Sequence, residues 1–113
     1  MPFEIFDRSR LKLLTLSQRI HDLNLDVMMD PEANPVFSHP SVTELAARIR
    51  RAKEKNAAVL LMLGGHVIRS GAAPLLIRLM EEGYITHFAM NGAAAIHDFE
   101  FAMIGATTEI GRA

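Results

Sequence analysis

The chain has 113 residues, 50% of them apolar and 22% charged, with a net charge of −1 and no cysteine. That allows one small ordered domain and excludes intrinsic disorder, a disulfide framework and a thiolate metal site, which fits a cytoplasmic protein. It also argues against nucleic acid, which needs a cationic excess, and against a membrane, since no apolar run nears the ~18 residues of a span and the start "MPFEIFDRSRLK" is no secretory signal.

Residues 1–40 read as an arm or linker, and residues 41–113 as an α/β domain. Within the arm, "RLKLLTLSQ" places Leu11, Leu13, Leu14 and Leu16 so that an edge strand and a short helix are both open. "MMDPEANPVFSHPS" carries Pro31, Pro35 and Pro40 and predicts an extended connection. The seven methionines are scattered and read as core gap-fillers rather than a binding groove.

From Ser41 the signals sharpen. Ser41-Val-Thr-Glu44 has the form of a capping box, in which the hydroxyl and carboxylate satisfy free N–H groups at a helix start. Val42, Leu45, Ala46 and Ile49 recur at helical spacing opposite Arg48, Arg50, Arg51, Lys53 and Glu54, so a helix is expected over 41–55. "AAVLLML" (57–63) is an unbroken apolar run, as expected of a parallel strand covered on both faces. After "GGHVIRSG" a second helix is expected over 72–82, with Pro74 in its first turn and Gly83 ending it in a left-handed conformation. Tyr84–Met90 predicts a second strand, Asn91-Gly92 a break, and 93–104 a third helix ended by Gly105, with Ile96 and Phe99 turned inward. The fold class is therefore α/β, with a parallel βαβ, Rossmann-like core, an amino-terminal arm and a sheet that looks incomplete.

In such a sheet a ligand binds outside the carboxyl ends of the strands. Two glycine-bearing turns end there: Gly64-Gly65-His66 and Asn91-Gly92. Neighbouring strands would hold these turns roughly 5 Å apart. Each leads toward a helix whose free N–H groups favour an anion such as a phosphate. Either turn alone is more simply read as a tight turn; together they make a ligand edge as good a reading. G-x-G-x-x-G and the phosphate-loop pattern are absent, and Asn91 stands where an acidic residue would hold a ribose.

His97 as a hydrogen-bond donor or proton shuttle and His97 as a satisfied helix histidine are both open. His97 and Asp98, adjacent on a helix, point about 100° apart, which speaks against a shared metal. His87 reads as structural, and His21 and His39 carry no motif. Arg69 reads more simply as a solvated charge than as an anion contact. Asp98 and Glu100 suit the early part of a helix, where the dipole favours acids. No catalytic residue is readable: Ser70, for example, lacks a G-x-S-x-G setting.

Across "GGHVIRSGAAPLLIRLMEEGYITHFAMNGAAAIHDFEFAMIGATTE", and most specifically "AMNGAAAIHDFE", the sequence resembles the deoxyhypusine synthase family, more closely its bacterial deoxyhypusine-synthase-like members. In the gap-free match Gly64, Gly65 and His66 fall on that family's Thr-Ser-Asn turn. Asn91, Gly92, Ala93 and Ala94 fall on Thr-Ala-Gly-Gly, and His97 and Asp98 on a Glu-Asp pair. The resemblance implies NAD as cofactor, held by Gly64, Gly65, His66, Asn91, Gly92, Ala93, His97 and Asp98. It also implies kinship to an NAD-dependent aminobutyl transferase of which only the amino-terminal portion is present, without the region of the catalytic lysine. Similar sequence also occurs in carboxyl-terminal domains of certain arginine- and ornithine-metabolising enzymes, so the fold alone does not fix the reaction. With two strands where about five or six are usual, a fragment of a longer enzyme and a non-catalytic module completed by oligomerising are both open. The partners expected are a small-molecule ligand and further copies of the chain, in a homo-oligomer.

Overall fold

The computed structural model describes residues 5–33 and 39–108. Its centre is a parallel pair of strands, β2 (Leu60–Leu63) and β3 (His87–Met90), in the register Leu60↔His87 through Leu63↔Met90. Because the strands end level, Gly64 and Asn91 leave the sheet side by side. A short strand β1 (Leu23–Asn24) pairs antiparallel with β4 (Ala106–Thr107), forming a second, separate sheet. Beside three short 3-10 turns, the described residues form four α-helices: α1 (Pro40–Glu54), α2 (Gly65–Arg69), α3 (Ala73–Glu81) and α4 (Gly92–Ile104). The expected α/β class and parallel βαβ core are present, and Gly83 and Gly105 end their helices at φ 72° and 65°.

The departures have physical causes. Pro40 takes the first turn of α1, so the helix starts one residue early and His39 becomes its cap, its Nδ1 accepting from Ser41 N at 3.2 Å. Ser41 then lies inside the helix and Glu44 turns to Arg48 at 2.7 Å, so the capping box does not form. The expected coverage of both faces of the first strand is also wrong. Along β2, Leu60 and Met62 are exposed and Leu61 and Leu63 half-buried, the alternation of a strand covered on one face only. "GGHVIRSG" supplies a helix rather than a loop, and "RLKLLTLSQ" forms only a 3-10 turn at Leu16–Gln18 with its leucines exposed. Of the three prolines of the expected connection, Pro35 lies outside the described residues.

The core is Ile68 of α2 against Ala94 and Phe101 of α4, joined by Leu23, Val27 and Met28 of the arm, Leu63 and Ala73. Thus α4 buries Ala94, His97 and Phe101, while Ile96 and Phe99, expected to face inward, are exposed. Apolar residues run almost all round α4, so hydrophobicity alone does not fix its rotation. The small Ala94 does, since it lets α2 approach closely.

The arm is held at Gly71. There φ is +81°, Met29 N donates to Gly71 O at 2.9 Å, and a Cβ would lie 1.9 Å from Val27 O. Only glycine fits both the dihedral and the space.

Candidate functional site

Seven residues expected at the ligand edge line one cleft: Gly64, Gly65 and His66 from the first turn, and Asn91, Gly92, Ala93 and His97 from the second. Val67 and Ile96 complete its wall, and its volume is about 650 Å³, within the range of small-molecule sites. Asp98 is not brought there; it lies beside Leu63, Ile68 and Phe88.

The cleft follows from local chemistry. Asn91 caps α4, its Oδ1 accepting from Ala94 N at 3.0 Å. Among the described residues the N–H groups of Gly92 and Ala93, in the first turn, have no acceptor. Gly92 has nothing within 4 Å of where a Cβ would stand, so its backbone opens on the cleft. On the opposite wall a Cβ at Gly65 would come within 3.0 Å of His97 Cδ2 and 3.1 Å of Ala93 Cβ. The backbone of the first turn therefore packs directly against His97 and Ala93 of α4.

His97 is buried, and its Nδ1 meets Thr107 Oγ1 at 2.7 Å. Thr107, fully buried in β4, donates to Glu100 Oε2 at 2.5 Å. Glu100 Oε1 accepts from Arg19 at 2.7 Å. Burial by itself would push the Glu100 carboxyl up. The hydrogen bonds from Thr107 and Arg19, the Arg19 charge and the Thr108 backbone N–H together outweigh that and hold it below the ordinary glutamate range.

Arg69 is not the solvated charge that the sequence suggests. Its side chain is mostly buried, 3.7 Å from Asp22 Oδ2, and is not part of the cleft lining. His87 is exposed and bonds Thr86 Oγ1, while His21 bonds Thr108 Oγ1. Among the described residues no group of three or more His, Asp or Glu side chains could hold a metal ion. None of the described helices is long and apolar enough to cross a membrane. Sequence reasoning missed Arg19 and Thr107, because nothing local in "LSQRIHD" or "GATTE" says that these segments converge beneath α4. The one available signal was a hydroxyl pair directly after the helix carrying His97 and Glu100.

Residues 43–112 match the family described as "Arginine dihydrolase ArgZ-like, C-terminal, Rossmann fold". The chain belongs to that family. A relative is the bifunctional arginine dihydrolase/ornithine cyclodeaminase AgrE of Nostoc sp. (strain PCC 7120), 33% identical over 64 residues, which are 57% of this chain and 9% of that protein. No solved structure matches the chain. Membership of the ArgZ-like family overturns the deoxyhypusine-synthase-like assignment, and with it the kinship to an aminobutyl transferase. The matched domain is also described as carboxyl-terminal, not as an amino-terminal portion. The misreading has a physical origin. Two glycine-bearing turns at fixed spacing are what any parallel βαβ unit with a ligand edge requires, so their gap-free match reports the fold and not the reaction. The arginine- and ornithine-metabolising enzymes noted beside it are where the similarity lies.

Proposed function

We propose that this ArgZ-like Rossmann domain binds NAD in the cleft between the two strand-end turns. The observation that carries the reading is the convergence of Gly64, Gly65, His66, Asn91, Gly92, Ala93 and His97 on one cleft at the carboxyl edge of β2 and β3. The residues present suit a dinucleotide. The open backbone at Gly92 lets a pyrophosphate approach, and the acceptor-free N–H groups of Gly92 and Ala93 at the start of the 13-residue α4 favour its charge. When bound, NAD supplies a group that takes up a hydride and returns it, which suits a cyclodeaminase of the kind named for the Nostoc relative. This chain's own residues would hold and orient the dinucleotide.

The same reading carries expectations about partners and setting. It requires a small-molecule ligand and accords with a cytoplasmic protein without cysteine. Self-association of the isolated chain is supported by the exposure of Leu60, Met62, Phe99 and Met103. Light scattering at micromolar concentration that found only a monomer would count against it.

Calorimetric titration with NAD tests the binding. Wild type is expected to bind. Gly92→Val, whose side chain would project into open cleft space, is expected to keep the wild-type melting temperature and lose roughly tenfold or more in affinity. Absence of heat and of any thermal shift with millimolar NAD overturns the proposal.

A further inference from the structure

The groups around His97 form a directed chain of hydrogen bonds. Glu100, in contact with the Arg19 guanidinium at 2.7 Å, is a carboxylate and can only accept. Thr107 has one hydroxyl proton, and it goes to Glu100 Oε2. The Thr107 oxygen therefore meets His97 Nδ1 with a lone pair, and the 2.7 Å contact requires the proton to sit on Nδ1. In a neutral imidazole that leaves Nε2 as a bare acceptor. Nε2 has no partner among the described residues and is not sealed from solvent, and His97 lines the cleft. The ring cannot swing away, since it is 6% exposed and its Cδ2 edge lies against the Gly65 backbone.

We infer that Arg19, Glu100 and Thr107 are positioning residues that hold His97 in its Nδ1–H form, so that Nε2 accepts a hydrogen bond from a hydroxyl or amide N–H of the cleft's ligand. The cleft thereby has two poles. The N–H groups of Gly92 and Ala93 offer donors to an anion, and His97 offers an acceptor to a neutral donor group. A dinucleotide carries both, as phosphates beside ribose hydroxyls and a carboxamide. A free inorganic anion carries only the first. The inference rests on the NAD reading for the ligand, but the state of His97 is a property of the protein alone.

Nitrogen-15 NMR of the imidazole, recorded where the ring is neutral, reads that state without any ligand. The expected result is a protonated Nδ1 and a bare Nε2 in wild type. Thr107→Val should release the ring to the tautomer mixture of a free side chain, Thr107→Ser should restore the wild-type pattern, and Glu100→Gln should shift it part of the way. A wild-type ring protonated at Nε2, or one unchanged in both Thr107→Val and Glu100→Gln, overturns the inference whether or not NAD binds. Should Thr107→Val fail to fold, the Glu100→Gln result decides.

Added NAD should then move the Nε2 resonance, and Thr107→Val should weaken NAD about fivefold to tenfold while leaving inorganic pyrophosphate unaffected. ADP-ribose separates the donors: a matching Nε2 shift places the donor in the ADP-ribose part, and a shift seen only with NAD identifies the carboxamide. Binding of NAD with no change at Nε2 overturns the acceptor role while leaving the NAD proposal standing.

Discussion

The two flanks of the parallel strand pair are built differently. On one, α2 and α4 close on each other through Ile68, Ala94 and Phe101, and residues 23–28 of the arm and β4 seal the joint. The other is open, with Leu60 and Met62 of β2 exposed; α1 buries no residue over its whole length, and Val42 and Leu45 face solvent. The carboxyl-terminal end of α1 is tied by Lys53, which donates to Glu82 O and lies 4.1 Å from the Tyr84 ring centroid. α1 is amphipathic and α4 apolar by sequence, so helix propensity does not separate them. What separates them is a partner. The lesson is that the cleft is carried by the flank that is complete within the chain, and that it needs the arm to be so.

That contrast can be broken or sharpened. The largest effect is expected at Gly71, where a methyl group meets the Val27 carbonyl and the dihedral disfavours any side chain. Gly71→Ala should cost roughly 2–5 kcal/mol, read as a lowered urea midpoint, and should detach the arm from the core.

A smaller effect is expected at Glu100. Glu100→Gln should cost on the order of 1–2 kcal/mol near neutral pH. Because the carboxyl is held below its ordinary value in the folded state, its contribution is complete above the unfolded value of about 4.3 and is lost as the pH falls through the folded value. The stability gap between wild type and Glu100→Gln should therefore close on acidification from pH 6 to pH 3. A gap that is constant with pH would show that the carboxylate charge plays no part. The smallest effect is expected on α1, where Leu45→Ser should change the stability of the isolated chain by less than about 0.5 kcal/mol. A loss several times larger would show that this face is covered in solution.

Much of this was legible in the sequence, and the failures are instructive. Element order, the βαβ unit and the meeting of the two turns follow from apolar runs punctuated by glycine, which are local signals. The phase of α4 was not legible, because Ile96, Phe99 and Phe101 compete for the interior and the winner is set by how closely α2 approaches Ala94. The capping box failed because Pro40 moved the helix start by one residue. The reaction class misled because turn spacing encodes a fold, whereas Arg19 and Thr107, which set the state of His97, lie outside the turns and carry no motif.

The contact between Arg19 and Glu100 spans 81 positions, and that between His21 and Thr108 spans 87. Contacts of this range demand loop closure before they give anything back, so they belong late in folding. The turns, the helices of the cleft and the local His97–Thr107 bond can thus form before the distant Arg19 arrives. Competence to recognise a ligand would then be acquired in a final step, when the two remote segments meet beneath α4. In kinetic terms, the ion pair that anchors Glu100 closes the chain of bonds to the ring last.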